Sequence, residues 1–171
     1  MKLVDDFLDQ RLFRAFLAAV TAESFPWELS QVNSQPAEGL APELNRQAVH
    51  GFFMRKSGLQ FVSPYFDLVR PILFQLRPRE VLKVKLNRTG RQESHLEYGM
   101  HVDTRRPGAT TAVLYLNTNN GYTLFADGRR VESVANRLVM FDASLRHTGV
   151  SCTDAPGRLI LNINVLAGDS P

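Results

Sequence analysis

Four histidines occur in the chain, at positions 50, 95, 101 and 147. Two of them stand where metal chemistry is possible. In His101-Val102-Asp103 an imidazole and a carboxylate are two residues apart. On an extended backbone, residues i and i+2 project to the same side, so both groups can reach one cation from a single segment. His147 follows 44 residues after Asp103, in Leu145-Arg146-His147-Thr148-Gly149-Val150. Two imidazoles and one carboxylate on one face of a metal leave its other coordination positions open, which is what non-haem iron(II) centres use to activate dioxygen. A His-x-Asp pair is by itself a weak signal. His101 also fits a hydrogen-bonded polar residue, and Asp103 a turn former ahead of Thr104. His50 and His95 are expected to lie away from any metal.

Arg158 strengthens the metal reading. It heads the apolar run Arg158-Leu159-Ile160-Leu161-Asn162-Ile163-Asn164. A buried guanidinium without a partner costs several kcal/mol, and a dicarboxylic co-substrate supplies a partner that accepts two parallel N–H bonds. The alternative is a surface arginine on an edge strand. Strand alternation puts Arg158, Ile160, Asn162 and Asn164 on one face, and two asparagines beside an arginine suit a polar pocket. Tyr115, in Leu114-Tyr115-Leu116-Asn117, is a second candidate for the far carboxylate, although tyrosine is a common strand residue. Asn87, at the end of a strand, is a further candidate for the pocket wall. The lone Cys152 reads as a half-buried small thiol rather than a nucleophile.

The elements that must position these groups fall into two parts. Val4, Leu8, Leu12, Phe16 and Ala19 recur at helical spacing, with Asp5 and Asp6 at the favoured acidic end. Phe25-Pro26-Trp27 interrupts that pattern, and residues 30–45 read as irregular. Ser63-Pro64 starts a second helix carrying Phe66, Val69, Leu73 and Leu76, shortened or kinked by Pro71. After Pro78 the chain reads as strands over 81–86, 110–116, 122–125, 137–141 and 158–166, with turns at 119–121 and 127–128. This order predicts a mainly β, α+β domain spanning 1–171. Residues 1–79 are mainly helical support. Residues 80–167 form a double-stranded β-helix, a jelly roll of cupin-like form. Segments 28–60 and 104–110 are candidates for substrate contact on position alone.

Composition bounds the rest. The 171 residues are 44% apolar, enough for one core without disulfides. A single cysteine fits a reducing compartment, and an N-terminus reading Met1-Lys2-Leu3-Val4-Asp5-Asp6 lacks the apolar stretch of a secretory leader. The expectation is a cytoplasmic protein with no membrane partner. The net charge of +3 and the Arg105-Arg106 pair leave two readings: solvated strand edges, or attraction of an acidic or nucleic-acid partner.

The stretch from His101 to Val165 resembles the prolyl-4-hydroxylase-like branch of the 2-oxoglutarate- and Fe(II)-dependent dioxygenases, particularly phage and marine-bacterial members. The resemblance rests on His101-Val102-Asp103, Tyr115-Leu116-Asn117, Asn120-Gly121-Tyr122-Thr123, His147 and Arg158, in that order. It implies Fe(II) on His101, Asp103 and His147, with 2-oxoglutarate held by Arg158 and Tyr115. O2 would be consumed as 2-oxoglutarate is decarboxylated to succinate and CO2 and a substrate is hydroxylated. Collagen-type members carry lysine where Arg158 stands, so this chain aligns better with the oxygen-sensing and phage types. The short chain shows no peptide-recognition domain, which leaves a prolyl residue, a small molecule or a nucleobase as substrate. The alternatives are a cupin-like metal-binding protein or isomerase that does not use 2-oxoglutarate, and a non-catalytic binding relic.

Overall fold

The computed structural model describes residues 1–56 and 58–168; Ser57, inside the 28–60 segment, and residues 169–171 lie outside it. The elements are β1 (Lys2–Val4), α1 (Gln10–Thr21), β2 (Glu28–Gln31), β3 (Arg46–Lys56), β4 (Leu59–Val62), a 3-10 turn (Phe66–Val69) and α2 (Arg70–Leu76). They continue with β5 (Pro78–Gly90), β6 (Ala109–Tyr115), β7 (Tyr122–Phe125), β8 (Arg130–Glu132), β9 (Leu138–Asp142), β10 (His147–Val150) and β11 (Gly157–Ala167). The major sheet has the order β1-β9-β6-β11-β5-β3-β2, with β4 paired to β3; the minor sheet is β10-β7-β8. The architecture is the expected jelly roll, with the helices outside it.

Strand alternation explains where the core and the site fall. Val84 and Leu86 on β5, Leu159, Leu161 and Ile163 on β11, and Ala112 and Leu114 on β6 form one buried cluster with Phe13, Phe16 and Val20 of α1 and with Ile72 and Leu73 of α2. The outer face of the major sheet is thus covered by helices. The alternate residues point between the sheets. Val113, Tyr115, Phe125, Val131, Val139 and Phe141 pack there, with Ile160 against them. The register pairs Arg158 with Thr89, Ile160 with Asn87, Asn162 with Lys85 and Asn164 with Lys83. One polar strip of two neighbouring strands therefore faces the interior of the sandwich.

Two expectations for the N-terminal part are corrected. The first helix does not run from Val4. Residues 2–4 pair with β9 as β1, and α1 begins after Asp9, whose carboxylate accepts from Arg11 N (2.9 Å) and Leu12 N (3.3 Å). The helical spacing of Val4 and Leu8 is a coincidence of two buried or half-buried positions on a chain that is not helical there. Nor are residues 1–79 mainly helical. They contribute β2, β3 and β4, and β3 runs beside β5 from Ala48 to Met54. Strand β3 reads weakly because a register shift between Gly51 and Phe53 breaks its alternation. The short strands β8 and β10 also lack a sequence signal of their own. Cys152 is wholly rather than half buried. No helix among the described residues is long and apolar enough to cross a membrane.

Asn136 ties the N-terminal segment to the sandwich. Its side chain accepts from Leu8 N (2.9 Å) and donates to Leu8 O (2.7 Å), and its backbone lies at φ +63°, where asparagine is better tolerated than most residues. Asn136→Ala leaves both buried Leu8 groups without partners. The expected loss is about 2 kcal/mol, a fall in the thermal midpoint of roughly 4–8 °C for a chain of this size. An unchanged midpoint in scanning calorimetry would show that the anchor lies elsewhere.

Candidate metal and diacid site

The segment Gly99–Asp103 lies along the edge of the minor sheet. His101 and His147 exchange both backbone N–H···O bonds at 2.9 Å, and Asp103 N donates to Ala143 O at 3.1 Å. These bonds fix two segments far apart in the chain, His101 being held to His147 and Asp103 to Ala143, so that the ligand side chains converge. One ligand atom from each of His101, Asp103 and His147 lies within 4.8 Å of the others, and His147 Nε2 is 3.6 Å from Asp103 Oδ2.

Each ligand is held by a second layer. His147 Nδ1 is 2.9 Å from Leu145 O and His101 Nδ1 is 3.3 Å from Gly99 O. Each Nδ1–H donating to its carbonyl leaves Nε2 as the lone-pair donor. Phe141 meets the His147 ring edge-on at 4.8 Å and limits its tilt. Asp103 Oδ2 accepts from Thr111 Oγ1 (2.8 Å) and Asn162 Nδ2 (3.1 Å), and Asn164 Nδ2 in turn donates to Thr111 Oγ1 (3.0 Å). Burial alone would raise the Asp103 pKa, but Lys83, His147 and these hydrogen bonds hold it well below the usual carboxylate range. Burial, with His147 beside it, lowers the His101 pKa and favours the neutral imidazole. An ionised carboxylate and neutral imidazoles are the forms that bind a divalent metal.

A cavity of about 360 Å³ opens from the triad, and Arg158 forms part of its wall. Strand β11 is central in the sheet, and Arg158 is only 5% exposed. Its Nε donates to Ser133 Oγ (2.9 Å) and its Nη2 to Thr123 Oγ1 (3.0 Å). Among the described residues it forms no salt bridge. Among the described residues, the buried side-chain polar atoms left without a partner are Thr89 Oγ1, Tyr98 OH and Asn162 Oδ1, and all three residues line this cavity. Burial raises the Tyr98 pKa, which keeps the phenol protonated as a donor. The Thr89 and Tyr98 hydroxyls can donate, and with a buried guanidinium that has no salt bridge among the described residues they fit a small anionic ligand.

The remaining residues singled out from sequence take varied positions. Asn87 lies on the cavity wall. Asn162 is also there, but its amide supports Asp103 rather than Arg158. Tyr115 is wholly buried beneath the wall. Its hydroxyl donates to Thr123 Oγ1 (2.7 Å) and the Arg158 guanidinium lies over its ring at 5.4 Å from the centroid, so it braces the arginine cluster through Thr123. His50 holds Pro26 O and Ser63 Oγ with its two ring nitrogens, both at 2.9 Å, and His95 stacks edge-on against Tyr122. Of the suggested substrate-contact segments, residues 31–34 and Gln47 reach the cavity, whereas none of 104–110 does among the described residues. Sequence reasoning missed Thr89, Tyr98, Lys83 and Lys85. Alternation from Asn87 identifies three of them; Tyr98 has no signal beyond its nearness to His101.

No protein-family model matches the chain, and no curated protein matches it by sequence. Solved structures do match its fold. An oxidoreductase of the 2OG-Fe(II) oxygenase family from Burkholderia pseudomallei is 12% identical with a TM-score of 0.69, covering 97% of this chain and 85% of that one. A Pseudomonas putida prolyl-4-hydroxylase is 20% identical with a TM-score of 0.61, covering 98% and 92%. The nogalamycin-biosynthesis epimerase SnoN, solved with Fe3+, alpha ketoglutarate and nogalamycin RO, is 12% identical with a TM-score of 0.63, covering 96% and 78%. The chain therefore has the jelly-roll fold that these 2-oxoglutarate–iron proteins share, with a possible His-Asp-His metal site in it.

Metal binding is checked directly by chelator competition. Asp103→Ala and His147→Ala are expected to lose stoichiometric Fe(II), whereas His95→Ala keeps it. Asn162→Leu, which removes a partner of a ligand, is expected to weaken affinity about 10- to 100-fold. Full occupancy in Asp103→Ala would remove the triad.

Proposed function

We propose that this protein is a 2-oxoglutarate- and Fe(II)-dependent oxygenase that hydroxylates a substrate while 2-oxoglutarate is converted to succinate and CO2. The observation that carries the reading is Arg158: a buried cation with no carboxylate on it among the described residues, in the wall of the same cavity as the triad. A metal-binding cupin or an isomerase without a diacid co-substrate has no use for that charge, whose burial without an anion costs several kcal/mol. The second neighbour's activity makes proline-containing peptides one class of substrate to test.

In this reading His101, Asp103 and His147 hold Fe(II), and Arg158 receives the far carboxylate of 2-oxoglutarate through its guanidinium. Bound together, iron and 2-oxoglutarate supply the dioxygen activation that no side chain provides. The chain's own work is placement. Thr111 and Asn162 orient the Asp103 carboxylate; Leu145 O and Gly99 O fix which imidazole nitrogen faces inward. Thr123 and Ser133 hold the Arg158 fork, and Tyr115 braces it from below. Tyr98 and Thr89 offer hydroxyls to the ligand in the Arg158 half of the cavity. Val113 and Ile160, on the same wall, present apolar surface that limits water.

The test is succinate release in a screen of peptides, nucleotides and amino acids with Fe(II), 2-oxoglutarate and O2, together with the weak visible band of the anaerobic Fe(II)–2-oxoglutarate chelate. Wild type is expected to show the band and Asp103→Ala to make no succinate. Arg158→Ala is expected to raise the KM for 2-oxoglutarate by roughly 10- to 100-fold, the worth of a hydrogen bond to a charged group. Unaltered KM in Arg158→Ala removes the arginine from this role; turnover without 2-oxoglutarate ends the reading.

A further inference from the structure

The polar strip of β5 continues past the groups already used. Lys83, Lys85, Asn87 and Thr89 alternate on one face, and all four line the cavity. Both lysines are half-buried, with 26% of the Lys83 side chain exposed, and two ammonium groups drawn side by side into a sandwich call for an anionic partner. Lys83 has a partial one: its Nζ is 3.5 Å from Asp103 Oδ1. Lys85 forms no salt bridge among the described residues. Its cross-strand neighbours are Asn162 on β11 and Gly51 on β3, neither of them acidic.

The charge balance of the cavity sharpens the point. Its wall carries Lys83, Lys85 and Arg158 against a single carboxylate, Asp103. On the reading above, a divalent metal, Asp103, Arg158 and a dianionic co-substrate sum to zero. The two lysines are then left over, and a metal on Asp103 competes with Lys83 for the carboxylate it pairs with. Position separates them from the arginine end. Lys85 lies four residues from Thr89, the partner of Arg158, which is about 13 Å along the strand.

We propose that the substrate of this site carries an oxyanion, a carboxylate or a phosphate, that Lys85 and Lys83 bind. The proposal rests on the oxygenase reading and names the class of its substrate. Lysine suits the task because its three donors rotate to meet either oxyanion.

The test uses the full chain loaded with Zn(II) in place of iron and saturated with 2-oxoglutarate, so that no turnover occurs. Thermal midpoints are read against matched probes: N-acetylglutamate with N-acetylglutamine, and glycerol 3-phosphate with glycerol, at constant ionic strength. The charged member of at least one pair is expected to raise the midpoint and its neutral partner not to; which pair responds identifies carboxylate or phosphate. Lys85→Met is expected to weaken that binding about 10- to 100-fold, and Lys85→Arg to restore most of it. Circular dichroism of each variant without probe checks the fold. Equal shifts from charged and neutral probes, or no shift from either anion, overturn the proposal. So does a Lys85→Met variant that loses 2-oxoglutarate affinity instead, since the lysine would then serve the co-substrate. If wild type fails to bind 2-oxoglutarate yet shows Lys85-dependent anion binding, the oxygenase reading falls and the oxyanion site stands.

Discussion

A guanidinium buried in the middle of a β-sandwich constrains everything around it. Arg158 sits on β11, paired with Thr89 of β5, and strand alternation turns its side chain into the sandwich rather than to solvent. Three hydroxyl residues converge on it. Ser133 and Thr123 accept its N–H groups directly, and Tyr115 reaches it through Thr123 while presenting its ring below the charge. Gly121 is part of the same arrangement: a Cβ there would lie 3.0 Å from Arg158 Cδ and 2.8 Å from Val150 O. Asn119 Oδ1, at 2.8 Å from the same point, closes the third side, so only glycine fits between these three neighbours. Neutral hydroxyls satisfy hydrogen bonds but do not neutralise charge, which is why the cavity beside Arg158 is suited to an anion.

The triad obeys a different constraint. Its two histidines lie directly opposite each other as a hydrogen-bonded antiparallel pair, which puts both side chains on the same side of the ribbon. Asp103 follows His101 by two residues and so shares its side. Backbone pairing, rather than packing of the imidazoles themselves, sets the convergence, and rings and carbonyls behind then choose the rotamer and tautomer. The amide of Asn162 and the hydroxyl of Thr111 tie this edge of the minor sheet to β11 and β6 in the major sheet. The two sheets are cross-linked through Asp103.

Much of this was legible in the residues. His101, Asp103 and His147 converge as their spacing and types suggested, and Arg158, Ile160 and Asn162 share one cavity-facing side as alternation required. Tyr115 illustrates the limit. Its type and place on a strand were readable, but whether its hydroxyl meets a ligand or Thr123 depends on a neighbour eight residues away across a turn. The N-terminal part shows a second limit. β1 and β3 are strands because β9 and β5 lie beside them, and a local helical spacing at Val4 and Leu8 carries no information about such distant partners.

The sequence alone determined which side chains share a face, because the period of a strand is a local property of the backbone. It determined the donor set and the apolar run that bury a charge. Only the tertiary structure decided what each face meets. The alternation Lys83-Val84-Lys85-Leu86 reads like an ordinary strand with its lysines in water. In the folded chain the apolar side lies against helices α1 and α2, and the lysines point into the sandwich. That outcome follows from which sheet covers which face, and sheet closure is fixed by contacts between residues far apart in the chain, which no short window of sequence contains.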